Sequence, residues 1–414
     1  MITPAFNLTA TERVLPRLAL DFTTASLDPR VTLTRALNTA TRVNSSGYIE
    51  AVNADAPRFD YDPVTLVCKG LLIEEQRTNS LLRSEQMGTS PWSVLNATVN
   101  ATGGISPANT NTANVITDNA TTGAHGVFVL NGWPSGVQST LSVYVKADTL
   151  SKVAIGNAST GAYSYFDLQS GTNVANATGF TGTITPAGNG WYRITATHTA
   201  SASQTLGIFS YVNVGNPSYS GTGQSFYAWG AQLEAGAFAT SYIPTVASTV
   251  TRNADVVSMT GTNFSDWYNA SEGAFAVQFD YGNAASNVSA GGRFILSASD
   301  GTSGNRNVIY NRSGTAASGL TQVGGVTQAL PGSGTVIAAD TVARSVYAYA
   351  TDNFGFSLDG GAAATDTSGS VPTVDRLAIG GTGTGTAAFL NGHVASLSYY
   401  PQRLINAELQ SFSK

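Results

Sequence analysis

Apolar and polar residues alternate with a period of two along much of this chain. Leu141, Val143 and Val145 alternate with Ser142, Tyr144 and Lys146, and Tyr192, Ile194 and Ala196 with Arg193, Thr195 and Thr197. Phe275, Val277 and Phe279 do the same with Ala276, Gln278 and Asp280. Successive side chains of a β-strand point to opposite faces, so such runs predict strands with one face on a core and the other toward solvent. Turn clusters, among them Gly188-Asn189-Gly190, Asp359-Gly360-Gly361 and Gly380–Gly385, separate the runs, as short strands in sandwiches require. Ser248–Asn253, after Ile243-Pro244-Thr245, marks a join between two sandwiches at 87–250 and 251–414, each of jelly-roll size. No fixed-period repeat is present. A short helical or irregular piece is expected around Leu71–Leu82. A second short helix is expected at the C-terminus, with Asn406 as cap, Glu408 in the first turn and Leu409 and Phe412 facing inward.

Composition sharpens this picture. Hydrophobic residues make up 42% of 414 positions, enough for proper cores, and no apolar run reaches membrane-helix length. Forty-four glycines imply many tight turns, while 5 Trp, 17 Tyr and 17 Phe argue against disorder. Charged residues are only 11%, against about 25% in average globular chains. With a net charge of −5 there is no basic stripe for nucleic acid. The charge is unevenly spread: residues 1–86 hold 19 of the 45 charged residues. That shift predicts an N-terminal module distinct from the weakly charged remainder. The start, Met1-Ile2-Thr3-Pro4-Ala5, lacks a charged n-region before an apolar stretch, so no secretory signal is expected. Cys68 is the single cysteine. It is expected to be structural, in a chain folded in a reducing cytosol and stabilised by packing and assembly.

Three stretches carry a resemblance. The first runs through Leu20-Asp21-Phe22, Ser26–Thr32, Ala56–Pro63 and Gly70–Asn79, and resembles the N-terminal region of tailed-bacteriophage fibre and head-spike proteins. The second is Gly190–Ile194, then Phe226–Gly236 and Ser241–Thr245, similar to the closing part of carbohydrate-binding-module-like jelly rolls of phage virions. The third, Leu390–Leu404, resembles the last strand and helix of concanavalin A/laminin-G-like sandwiches. The resemblance implies an all-β chain of two jelly-roll/concanavalin-like sandwiches in tandem after a charged N-terminal attachment module. It implies a fibre or spike on the virion surface, assembled in the host cytoplasm as a homotrimer. Residues 1–86 would contact other virion proteins and the sandwiches would contact host glycans, with no nucleic acid and no membrane insertion.

Catalysis is not expected. His125, His198 and His393 lie far apart in sequence and outside any metal-ligand spacing, and no nucleophile elbow, Walker A loop or dinucleotide fingerprint occurs. A glycosidase needs two placed carboxylates, yet the only glutamates after residue 86 are Glu234, Glu272 and Glu408, each with an ordinary place at a strand end, turn or helix start. No cofactor is expected. A structural calcium would fall to loop or strand-end carboxylates such as Asp280, Asp300 and Asp352, without an EF-hand run. Repeated Asn-x-Ser/Thr matches, such as Asn96-Ala97-Thr98, follow from composition. Sugar binding needs an aromatic plate with a few fixed polar groups, and Trp133, in the turn Asn131–Gly136, is the candidate. Trp191 and Trp229 are expected in the core. Trp267 and Tyr268 are expected between the sandwiches or against a second subunit. The alternatives are a capsid decoration protein without a specific ligand and, more weakly, a polysaccharide-degrading enzyme.

Overall fold

The computed structural model describes residues 15–282, 292–311, 316–382 and 388–414. Across them the chain is all-β, two antiparallel sandwiches with only the short helices Thr262–Ser265 and Asn406–Phe412 and one 3-10 turn. In the first sandwich one sheet carries Gln138–Ala147 at its centre, between Trp191–Thr199 and Ser225–Ala235. The facing sheet carries Lys152–Asn157, Gln204–Ser210 and Thr122–Trp133. Leu141, Val143 and Val145 enter the core between the sheets, as their alternation predicts. The opposite face of the same strand is covered too: Tyr144 is buried in a smaller cluster with Ile49, Trp191, Trp229 and Tyr242.

In the second sandwich, Glu272–Tyr281 and Gly392–Tyr400 form the middle of one sheet. Val256–Thr260, Arg376–Ile379 and Arg293–Ser299 form the middle of the other. Phe275, Val277 and Phe279 point into the shared core.

The expected separation of residues 1–86 does not hold. Leu18–Asp21 pairs with one half of Gly392–Tyr400 and Cys68–Ile73 with the other, while Thr32–Thr34 extends the facing sheet. Leu18, Leu20, Phe22, Leu71 and Ile73 sit in the same core as Phe275 and Leu397. Apolar side chains of that number cannot be left in water at about 25 cal/mol per Å², so the segment condenses onto strands between 222 (Thr34 to Val256) and 381 (Leu18 to Tyr399) residues away. Gly70 marks the fit: with φ +109, a Cβ there would lie 2.3 Å from the Val394 carbonyl oxygen.

The chain thus begins the second sandwich, builds the first, and returns. The two crossings meet, because Arg77–Asn79 pairs with Val250–Arg252. The expected join at Ser248–Asn253 is therefore half of a two-stranded bridge. Of the helical or irregular piece expected at Leu71–Leu82, no helix forms: it holds the end of one strand and this bridge strand, with irregular stretches at 74–76 and 80–82. At the C-terminus the helix forms, but Asn406 is its first residue and Ile405 the cap. Glu408 accepts from the Ile405 amide at 2.8 Å, and Leu409 is buried while Phe412 stacks on Tyr400 at the surface.

Candidate inter-sandwich cleft

A buried ionic cluster fixes the two sandwiches to each other. Asp255, just past the bridge, accepts from Arg35 at 2.7 Å and from Arg58, and also from the Glu74 amide at 3.0 Å. Glu74 accepts from Arg58 at 2.7 Å and from the Ser241 amide and hydroxyl at 2.8 and 2.7 Å. Arg252 lies 3.5 Å from Glu74. All three arginines and Asp255 are fully buried. Burial alone would raise the Glu74 carboxyl, but Arg252 and Arg58 and the Ser241 bonds hold it well below the usual carboxylate range. Arg35 and Arg58 belong to the second sandwich and Ser241 follows the last strand of the first, so the cluster crosses the junction.

Beside this cluster the sandwiches leave a cleft of about 1000 Å³, continuous at Asp60, Tyr144, Arg193 and Asp340 with a smaller recess of about 170 Å³ that reaches Glu74 and Ser241. The first sandwich contributes Tyr144, Thr185 and Arg193 and the second Asp60, Lys69, Gln278, Asp280 and Asp340. The turn Asp62–Val67 closes one end, where Gly188 sits so close that a Cβ would lie 2.5 Å from the Pro63 carbonyl oxygen.

The floor is polar and charged. His393 Nδ1 lies 2.9 Å from Asp280 and Nε2 3.1 Å from Asp60, and Asp60 also accepts from the Val43 amide at 2.6 Å. Burial, the largest single influence, would lower the imidazole pKa, but the charge and hydrogen bonds of Asp280 together with the bond to Asp60 outweigh it, and the net shift is upward. For Asp280, burial raises the carboxyl while His393 and Lys69 lower it, and the net shift is downward. Lys69 stands 3.6 Å from Asp280 and 3.9 Å from Asp340. Asp340 is pushed upward by burial, only partly offset by Lys69. On the opposite wall Arg193 donates to Ser142 at 3.0 Å and lies over the Tyr144 ring, while its Nε–H has no partner. Donors and acceptors on two locked walls suit a ligand rich in hydroxyls.

Trp133 takes no part. It is wholly buried in the first sandwich, donates from Nε1 to the Gly156 carbonyl at 3.1 Å, and packs edge-on to Phe180 and His198. The turn that suggested an exposed plate instead folds the indole inward. Trp191 and Trp229 are buried as expected, and Trp267 lies in the core of the second sandwich rather than at a junction. Of the three carboxylates considered for calcium, Asp280 faces His393, whereas Asp300 caps its own turn through Thr302 and Asp352 accepts from Gly369. Among the described residues no group of three His, Cys, Asp or Glu side chains could hold a metal ion. Cys68 is half-buried, with its Sγ 3.8 Å from the Phe22 carbonyl. Asp60, Lys69, Arg193, Asp340 and His393 are the site residues that sequence patterning missed. Their positions lie up to 333 residues apart, and no local spacing joins them.

No family model matches the chain, and no curated protein matches it either. Among solved structures it is similar to the CBM40 domain of the Ruminococcus gnavus IT-sialidase bound to α2,3 sialyllactose, at 16% identity over 35% of this chain and 84% of that one, TM-score 0.30. It is also similar to Trypanosoma rangeli sialidase in complex with the inhibitor DANA, at 11% identity over 78% and 62%, TM-score 0.28. A third similarity is to domains LG4-5 of the mouse laminin α1 chain, at 10% identity over 70% and 89%, TM-score 0.23. Scores at this level say nothing of ligand or activity.

Proposed function

We propose that the chain is a non-enzymatic contact protein of a tailed-phage surface that binds host glycans in the cleft between its two sandwiches. The observation that carries the binding reading is the cleft itself: about 1000 Å³, walled by both sandwiches, with unpaired or shared polar groups at Arg193, Lys69 and Asp340. The buried ionic cluster keeps its walls at one separation, so little ordering cost falls on the ligand. The virion assignment is supported by the resemblance of the three sequence stretches. Because Leu18–Ile73 is woven into the second sandwich, attachment to a particle uses an outer surface of that sandwich rather than a detachable module. A homotrimer belongs to the same reading and is tested by sedimentation equilibrium.

A second reading, polysaccharide hydrolysis, has one observation in its favour. Asp340 is raised and Asp280 lowered, the divergence expected of an acid and a base. Against it, both Asp280 oxygens face His393 Nδ1, at 2.9 and 3.1 Å, and its side chain is 3% exposed. That leaves Asp280 unable to meet a substrate. The two readings part in one experiment: labelled protein is titrated onto host cells, and purified host polysaccharide is assayed for new reducing ends. Binding that weakens about tenfold in both Arg193→Ala and Lys69→Met, without reducing ends, supports the contact role. Reducing ends lost in Asp340→Asn install the hydrolase, and binding unchanged in both cleft variants sinks the cleft.

A further inference from the structure

The sheet of the second sandwich that holds Glu272–Tyr281 and Gly392–Tyr400 carries a hollow of about 260 Å³ on its outer face. Phe275, Val277 and Leu397 point into the core, so the residues alternating with them face outward. Ala276, Gln278, Ser396 and Ser398 are such residues, and all four line the hollow. They stand opposite one another in register, Ala276 beside Ser398 and Gln278 beside Ser396. Gln278 also lines the inter-sandwich cleft, which reaches Asp280 on the same strand. Hollow and cleft therefore adjoin at one side chain.

The far end of the hollow is aromatic. Tyr400, opposite Ala274, stacks on Phe412 with ring centres 5.1 Å apart. Patterning places Phe412 inward, yet it is 37% exposed. The helix that carries it is firmly seated. Ser413 shares a hydrogen bond with the Ser357 hydroxyl at 2.9 Å and accepts from the Gly360 amide at 3.0 Å. Leu409 is buried in a cluster with Ala274, Val346 and Ala348. Gln278 is fixed as well: its Oε1 accepts from Arg344 Nε at 3.1 Å, which leaves the amide N–H groups to a ligand. An aromatic plate beside hydroxyl and amide groups on rigid strands is what sugar binding needs, and what the buried Trp133 does not supply. From Asp280 back to Ala274 the strand advances about 20 Å, at about 3.3 Å per residue, which is longer than a single sugar ring.

We infer that this sheet face extends the cleft, and that the ligand is a linear oligosaccharide long enough to occupy both. One end of it sits between the sandwiches. The chain then passes Gln278, whose amide donates to a sugar oxygen, and runs over the hydroxyls of Ser396 and Ser398. A distal pyranose lays its C–H face on Phe412. The extension presupposes the cleft as the primary glycan site. It adds that affinity grows with the length of the sugar chain, because the further contacts are made to a surface already ordered.

The test is calorimetric titration of the full chain with size-graded oligosaccharides, taken from partial hydrolysis of host surface polysaccharide and from neutral glucan and chitin. The variants Phe412→Ala and Ser398→Leu are run beside it. Neither residue lines the cleft, and the melting temperature reports that each variant is folded. In the parent, affinity is expected to rise about tenfold or more between the shortest bound oligomer and those that span both regions, then to level off. In both variants the shortest oligomer is expected to bind as in the parent, while the rise with length falls below about threefold. A parental affinity that does not change with length overturns the extension and leaves the cleft standing, as does a rise that survives in both variants. A parent that binds no oligomer removes the cleft reading and the extension together.

Discussion

Replacing Asp255 by alanine tests whether the two sandwiches are held by their buried charges. The carboxylate accepts from Arg35 and Arg58 and from the Glu74 amide, and Arg252 lies 3.9 Å away. Without it, Arg58 and Arg252 keep Glu74 as their carboxylate partner, while Arg35 is left with the Asn53 and Ala56 carbonyls. Breaking a buried pair by removing one partner costs about 3–5 kcal/mol, chiefly because the surviving charge stays desolvated. A domain of this size loses about 2–4 °C per kcal/mol, so the second sandwich is expected to melt about 6–20 °C lower in differential scanning calorimetry. The double variant Asp255→Ala/Arg35→Met removes a positive charge with the negative one and keeps an apolar side chain in the space. It is expected to recover part of the loss, with a coupling of about 0.5–3 kcal/mol between the two positions. A fall of less than about 3 °C in Asp255→Ala, or strictly additive single variants, would refute the role assigned to the cluster.

Three further outcomes follow from the same geometry. His393 has a raised folded pKa, so its bonds to Asp280 and Asp60 stabilise fully below its unfolded value, about 6.5, and are lost as pH rises through the folded value. Glu74 and Asp280, held low, contribute above their unfolded values near about 4 and lose that only as pH falls through their folded ones. The melting temperature should therefore peak between about pH 4.5 and 6.5 and decline above, and the decline should vanish in His393→Gln; a flat parental profile up to pH 9 contradicts this. Gly70→Ala, which would drive a Cβ against the Val394 carbonyl, should cost at least about 2 kcal/mol in urea unfolding, whereas Gly136→Ala, with φ +71 but open space around it, should cost about 1. Trp133→Phe should lower stability by about 1–3 kcal/mol through the lost bond to Gly156 and a smaller ring, yet leave glycan affinity unchanged while folded.

Much of the fold was legible because strand patterning is local. The alternations at Leu141–Val145 and Phe275–Phe279 became core-facing strands in the expected sense. What patterning could not show is what covers the other face. Tyr144 reads as the solvent side of its strand, yet Ile49 and Tyr242, each about 95 residues distant, bury it. The same blindness sent Trp133 the wrong way. A Trp beside Pro134 and Gly136 looks like an exposed turn, but the strand Thr122–Trp133 is long enough to carry the ring back over Phe180. The cleft residues were invisible for a plainer reason: no local spacing joins Asp60, Asp280 and His393, which are brought together only by the pairing of Cys68–Ile73 and Glu272–Tyr281 on either side of Gly392–Tyr400.

Part of the charge before residue 87 has a role that composition does not suggest. A surface module would display its charges, yet Arg35, Arg58 and Glu74 are buried and meet Arg252 and Asp255 from the returning crossing. Splicing one sandwich into another forces two strands to cross at one point, and apolar contact there is non-directional, so it would tolerate many relative angles. Directed polar contacts do not, since a rotation that parts Ser241 from Glu74 and Arg58 takes hydrogen bonds away from charges in a dry interior. The cluster thereby sets the distance between Arg193 on one wall of the cleft and Lys69 on the other. The five charges of this cluster lie where the orientation of the two halves, and hence the width of the cleft between them, is decided.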